Sequence, residues 1–505
     1  MSPENLDLGN SALVFMGIYL VGMLLLGWLG QRSRKEKTLR DFYLGGSSFG
    51  FFVLFLTFFA TQYSGNTLLG FSGRSYQQGG SYIASVTFMV LVITVMMIYA
   101  PRLFRLARRF GYITPVDYIF HRFGSHPLRI LSVLLLCWGL GNYILEQLVA
   151  MGHAVEGISS GKIDFMTGVV LLVVVMLVYE SLGGMRSVAW TDVVQGVLLG
   201  VGCFAILYIL LTSKGGVPAA TAVILETAPE KLQVPSATGI RTWFSNLLLL
   251  GLGVAIYPHA IQRIFAAASL KTLRRSLATM AFMPLGTTLL AFLIGFIALS
   301  RFPGLGELES DKVTILVLED IINQSVFTYW LVVVVFSAIV AAIMSTADSA
   351  LLSIGSMVTK DIYKVYIRPA SSPAHLLMVG KVVGWAFMGL LILMAWVSLR
   401  TESSLWLLIR LKLEFMVQLS PVFLLGVFWR RFSARPAFLG MLAGTLVTLV
   451  IWGGVMFDLW TNRSPLGISA GLWGLAINYG LCVLGTLLPL RDTTRVEPSS
   501  SGGAI

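Results

Sequence analysis

Apolar residues in this chain gather into runs of about 17 to 25 residues, the length that crosses a bilayer as a helix, and the runs follow one another from end to end. They predict helices at 12–30, 50–72, 80–100, 128–150, 165–181, 188–212, 241–262, 276–299, 328–358, 376–398, 404–428, 436–456 and 467–489. That pattern is an all-α polytopic membrane protein of about thirteen spans. Short polar connections separate most of the runs. Two are longer, 213–240 and 300–327, and the second is acidic, with Glu307, Glu309, Asp311, Glu319 and Asp320; both are expected as surface caps. Residues 1–490 form one membrane domain, and 491–505 are expected as a disordered tail.

Composition agrees with the pattern. The 505 residues are 56% hydrophobic and only 12% charged, against about 25% charged in soluble domains. The net charge of +12 does not indicate nucleic-acid binding, because the basic residues sit in short loops and form no continuous face. Counted over alternate loops, 24 Lys and Arg fall on one side and 9 on the other. The richer side, which takes in Arg102, Arg105, Arg108, Arg109, Arg263 and Lys360, is then cytoplasmic. With an odd number of spans this puts the N-terminus outside and the C-terminus and tail inside, in the cell (inner) membrane. Glu4 and Asp7 precede the first run without a basic residue, so it is expected to stay as a helix and not to be cleaved as a signal. Cys137, Cys203 and Cys482 lie within apolar runs and read as packing residues. The five histidines have no ligand spacing, and the glycine pairs lack the strand–turn–helix setting of a nucleotide site. No organic cofactor, nucleic acid or obligate protein partner is implied; the expected partners are the lipid bilayer and a small solute.

Polar groups at membrane depth are costly and mark function, with a partner or aqueous cavity nearby. The richest stretch is Ala341-Ala342-Ile343-Met344-Ser345-Thr346-Ala347-Asp348-Ser349. Ala342, Ser345, Thr346 and Ser349 share one helical face, with Asp348 beside it. Such a face either holds a hard cation, which prefers oxygen ligands, or lets helices pack closely and bond across their interface. In the second run, Ala60-Thr61-Gln62-Tyr63-Ser64-Gly65-Asn66-Thr67 interrupts the apolar sequence. A helix broken there would release carbonyls for an ion and donors for a solute, which is tolerated at that depth only around a cavity or within protein. Gly251-Leu252-Gly253, before Tyr257-Pro258, is a comparable weak point in the seventh run. Interruptions at matching places of two halves point to a transporter site. The second to sixth and seventh to eleventh helices are five each (about 50–212 and 241–428), and an odd number inverts one half relative to the other. Asp192, near the start of the sixth helix, either ligates a second cation or pairs with a loop arginine. Lys412 and Glu414 are expected to neutralise one another or snorkel, and Glu146 has no evident partner.

These segments carry a resemblance. Asp41-Phe42-Tyr43-Leu44-Gly45-Gly46, Thr114-Pro115-Val116-Asp117-Tyr118 with Arg122-Phe123-Gly124, and Gly183-Gly184-Met185-Arg186 with Trp190-Thr191-Asp192-Val193-Val194-Gln195 occur in order, followed by Tyr257-Pro258-His259, Gln262-Arg263, Ala341 to Asp348 and Lys360-Asp361-Ile362-Tyr363-Lys364. Together they resemble the sodium/solute symporter family, which includes bacterial proline, pantothenate and sialic acid carriers and sodium/glucose carriers. The resemblance implies a five-plus-five inverted repeat, with one helix before it and two after it (about 436–489), and sodium as coupling ion. It implies sodium ligation by the carbonyls of Ala60, Tyr63 and Ala342 and the hydroxyls of Ser345 and Thr346. A second sodium, present in some members, would draw on Asp192, Ser345, Asp348 and Ser349. Gln62, Ser64, Gly65, Asn66, Thr67 and Tyr257 become candidates for solute contact. The implied function is sodium-coupled secondary active import of a small organic solute (amino acid, carboxylate, vitamin or sugar-like) by alternating access. The alternative is a solute-sensing module of a signalling system with weak or no transport.

Overall fold

A bilayer offers no water to backbone amides and carbonyls, so a chain this apolar crosses it as helices that satisfy those groups internally. The structure, a computed structural model, describes residues 9–488 apart from 35, 37, 160, 213, 214, 323, 324, 402–404, 458 and 460–462. The expected tail, 491–505, therefore lies outside the described residues, as do the side chains of Asn66 and Arg400. Among the described residues the elements are helical, and the one extended pairing is a single bridge between Phe49 and Ala267.

The first half runs through α1 (Gly9–Arg32), α2 (Phe51–Gln62), a lone turn (Gly65–Leu68), α3 (Gly70–Gln78), α4 (Val86–Phe110), α5 (His126–Ile158), α6 (Phe165–Gly183) and α7 (Met185–Thr212). The second runs through α8 (Ala237–Ala255), α9 (Pro258–Ala266), α10 (Leu270–Met280), α11 (Thr288–Arg301), α12 (Val326–Met357), α13 (Pro373–Thr401), α14 (Leu405–Met416) and α15 (Ser420–Phe428). Two further helices follow, α16 (Ala434–Met456) and α17 (Ala470–Leu487). Eleven described helical stretches are long and apolar enough to span a bilayer, and the pair α8–α9, bent by 46°, makes a twelfth. The thirteenth expected span, 50–72, is not one helix: α2 is only 12 residues long and stops at Gln62.

Helix α12 is the axis of the molecule. It has no outward face over most of its length: every residue from 335 to 357 is buried, the polar ones from Ser345 to Ser349 included. It packs against α5, α7 and α2. By contrast, α1, α13 and α16 turn Val14, Ile18, Leu25, Val382, Leu393, Leu446 and Val450 outward, where lipid would meet them. Helices α16 and α17 touch through small residues. A Cβ on Gly474 would stand 2.2 Å from the Gly444 carbonyl oxygen, so backbone meets backbone as at other tight membrane crossings.

Three expectations need correction. The weak point in the seventh run is not Gly251-Leu252-Gly253, which stays helical. The chain breaks at Ile256 and Tyr257, because Pro258 has no N–H to continue the ladder and opens the next helix instead. The two glycines serve contact, since added Cβ atoms would lie 2.4 Å from Leu91 Cδ2 and 3.0 Å from Leu413 Cδ2. The long connections are also more than caps: Val313–Ile322 is a helix with Val313, Ile315, Val317, Leu318 and Ile321 buried. Arg263, counted among the loop charges, lies in α9 with no exposed surface.

Candidate functional site

Helix α2 ends where aromatic and apolar residues give way to small polar ones. Tyr63 and Ser64 take extended backbone (φ −107°, ψ 94° and φ −84°, ψ 172°), after which the chain re-enters a helical turn at Gly65. The break thus falls just before the glycine expected to cause it. Gly65 is needed for contact: a Cβ there would stand 2.1 Å from Ile343 Cγ1 of α12. Overpacking of this kind costs about 1–3 kcal/mol. Gly65→Ala is therefore expected to lower the unfolding midpoint of the purified protein, and adding Ile343→Ala should recover most of the loss. No loss in the single variant would show that the two segments do not meet there.

The close approach brings four expected positions together. The Ser345 hydroxyl lies 2.8 Å from the Ala60 carbonyl oxygen, to which it donates, and 3.1 Å from that of Ala342 in its own helix. Thr346, on the same face, keeps a buried hydroxyl without a hydrogen-bond partner among the described residues. Tyr63 caps α2 beside them, its N–H bonded to the Phe59 carbonyl. Oxygen atoms from residues 285 positions apart thus converge where one helix has been opened.

One helical turn further along α12 is a second polar cluster, organised around a cation of the protein's own. Arg263 Nη2 lies 2.8 Å from Asp192 Oδ2 and 2.7 Å from Ser349 Oγ, with both partners of the ion pair fully buried. Its Nε donates to the Thr57 hydroxyl (2.8 Å) and its Nη1 to the His259 carbonyl (3.1 Å). Thr57 also donates to Asp192. Asp348 accepts from Tyr179 (2.6 Å) and Ser349 (3.1 Å). Asp192, Asp348 and Ser349 do gather as expected, and Asp192 pairs with an arginine, but one inside the protein and not in a loop.

A cavity of about 40 Å³ opens against the broken segment, lined by Gln62, Ser64, Thr67, Tyr143, Glu146, Tyr257 and Lys412. Of the expected solute contacts, Gln62, Ser64, Thr67 and Tyr257 therefore line one cavity, while Gly65 packs on α12. Both polar atoms of the Gln62 side chain are buried without a partner among the described residues. Lys412 Nζ lies 2.5 Å from Glu146 Oε2 and 3.8 Å from the centre of the Tyr143 ring. The expected Lys412–Glu414 neutralisation is corrected by this. Residues two apart on a helix point to different sides, and Glu414 instead accepts from Arg410 (2.8 Å) and Trp452 (2.6 Å). His259, to which the sequence assigns no role beyond its place in a motif, stacks on Tyr143 with ring centres 5.7 Å apart, and neither ring nitrogen has a partner among the described residues.

A wider cavity of about 230 Å³ touches Leu69, Ala150, His153, Asp311, Lys312 and Leu405. On α5, Tyr143 and Glu146 line the small cavity while Ala150 and His153 line the large one; on α14, Lys412 and Leu405 do the same. The two cavities are stacked along the same pair of helices. At the rim, Asp311 accepts from the Leu405 N–H (3.0 Å). Burial pushes its carboxyl up to about 7, with Glu307 adding to the rise and Arg74 opposing it.

The profile of the sodium:solute symporter family matches residues 42–444. The high-affinity proline transporter PutP of Bacillus subtilis is 29% identical over 456 residues, covering 89% of this chain and 94% of that protein. The osmoregulated proline transporter OpuE of the same organism is 28% identical, covering 97% of this chain and 96% of its own. A solved structure of a Na+-coupled sialic acid symporter in a substrate-bound outward-open state superposes with a TM-score of 0.79. It is 21% identical, over 95% of this chain and 98% of that one.

Proposed function

Because this chain belongs to the sodium:solute symporter family, a family of transporters and not enzymes, we propose that it imports a small organic solute with sodium by alternating access. The observation that carries the reading is the convergence of the Ala60 and Ala342 carbonyls on the Ser345 hydroxyl. Sodium is a hard cation that takes oxygen ligands, by the chemistry that governs calcium and magnesium. In this reading the Tyr63 carbonyl and the unpartnered Thr346 hydroxyl complete the set. The ion then cross-links the opened end of α2 to α12, holding Gln62 and Ser64 in place on the cavity wall. Opening to the other side separates the two segments, and ion and solute leave together.

The drive is electrical as well as chemical. One elementary charge moving through 100 mV releases about 2.3 kcal/mol. Arg263 already gives Asp192 and Ser349 a positive partner, so one sodium per cycle is the stoichiometry this arrangement favours. The breaks at Tyr63–Ser64 and Ile256–Tyr257 fit the paired interruptions of a five-plus-five inverted repeat. The surplus of basic residues in alternate loops supports a reading in which the C-terminal end faces the cytoplasm and the protein sits in the inner membrane.

Purified protein in sealed vesicles tests this. With an inward sodium gradient, at least one labelled solute from a panel of amino acids, carboxylates, vitamins and sugars is expected to accumulate above its outside concentration. Accumulation should vanish when potassium replaces sodium. Uptake that only equilibrates, or that is indifferent to the replacement, would overturn the reading.

A further inference from the structure

The Glu146–Lys412 pair has no part in the ion site, and stability alone gives little reason for it. Replacing a buried ion pair by apolar residues of similar volume is often neutral or stabilising, and charges at membrane depth mark function by default. The pair forms a wall of the small cavity. Glu146 is fully buried and Lys412 nearly so, and the Lys412 ammonium faces the Tyr143 ring at 3.8 Å. The same cavity is lined by Gln62, with a buried donor and a buried acceptor that meet no partner among the described residues. The cavity thus presents one cation, one anion and one unused amide.

From this geometry we infer that the carried solute is a small zwitterion, whose carboxylate takes Lys412 and whose ammonium takes Glu146 as the two side chains part. The inference rests on the carrier reading above and adds the solute class. Charge conservation decides it. A zwitterion that splits the pair replaces each lost partner with one of the same sign, and the buried total stays neutral. A monocarboxylate on Lys412 would leave Glu146 as a second carboxylate sharing one ammonium, and a simple amine on Glu146 would leave two cations sharing one carboxylate. Each puts an uncompensated charge in a low-dielectric site, at a cost of several kcal/mol. An uncharged sugar would leave the pair closed and use little beyond Gln62. The Tyr143 face steadies the ammonium of Lys412 while Glu146 is engaged elsewhere.

The test uses the full-length protein in detergent, read by its thermal unfolding midpoint. Sodium chloride is first compared with choline chloride, which reports the ion site without any solute. In sodium, the panel is the L-amino acids and their N-methylated forms, matched monocarboxylates lacking the amino group, matched amines lacking the carboxylate, and glucose. Wild type is expected to respond to at least one zwitterion and at least tenfold more weakly to its matched carboxylate and amine. Glu146→Gln leaves Lys412 as a lone cation and should reverse that order toward the carboxylate. Lys412→Met should reverse it toward the amine, so either variant suffices if the other does not fold. A wild-type preference for carboxylate, amine or sugar overturns the inference. So does a sodium response with no response to any zwitterion, or an unchanged preference order in both variants; each of these leaves the carrier reading standing. Loss of the sodium response in wild type would overturn the ion site, and the inference with it.

Discussion

Arg263→Met is expected to lower stability by about 3–5 kcal/mol, the usual cost of removing one partner of a buried ion pair. It strands Asp192, which has no exposed surface, and takes away donors to Thr57, Ser349 and the His259 carbonyl in one step. Asp192→Asn should cost less, because the amide still accepts from Thr57 and Arg263 keeps three other acceptors. The double variant, Arg263→Met with Asp192→Asn, should be more stable than the arginine variant alone, since no unpaired charge remains. Unfolding midpoints of all four proteins close a double-mutant cycle. Strictly additive losses would show that the guanidinium and the carboxylate are not coupled.

The second large effect separates ion binding from folding. Thr346→Ala removes a hydroxyl that is buried without a partner, and losing an unsatisfied buried polar group is neutral or stabilising. The sodium-free protein is therefore expected to keep or slightly raise its unfolding midpoint. Its sodium half-saturation should rise about tenfold or more, equivalent to roughly 1.4 kcal/mol. Ser345→Ala should weaken sodium as well, but it also loses the bond between α12 and the Ala60 carbonyl, so its sodium-free midpoint should fall. If Thr346→Ala destabilises the sodium-free protein and leaves the sodium response unchanged, Thr346 is a packing residue.

Much of this was legible in the residues, and what was not has a common cause. Membrane helices announce themselves because length and hydropathy are local quantities, and the Ala342–Ser345–Thr346 face follows from helical spacing. The opening of α2 was placed within about two residues, since the shift from phenylalanine to small polar residues is local too. Helix-breaking by Pro258 was also available locally, but the glycines before it drew attention because glycine weakens an isolated helix. Packing outweighs that here: Gly251 and Gly253 admit Leu91 and Leu413. The ion pairs could not be read. Glu146 and Lys412 are 266 positions apart and Asp192 and Arg263 are 71 apart, and no periodicity connects them. Arg263 looked like a loop residue because it follows a proline near the end of an apolar run. It was the bend of 46° between α8 and α9 that turned the arginine inward.

The axis helix does not stop at the proposed ion site. Beyond Met357 the chain winds on as a wider π-helix to Ile367, giving a continuous rod of 42 residues from Val326. At about 1.5 Å per residue that is roughly 60 Å, twice the hydrocarbon thickness. Its far end is clamped, with Asp361 accepting from Thr114 (2.7 Å) and Lys360 paired with Asp117. Between Ser345 and Lys360 the helix is unbroken and changes only from α to π after Met357, so the two ends belong to one rod. A tilt imposed at the proposed ion site is expected either to drag the short Pro115–Phe123 helix along or to open those clamps, so that loading at mid-membrane would be felt at the edge of the bilayer.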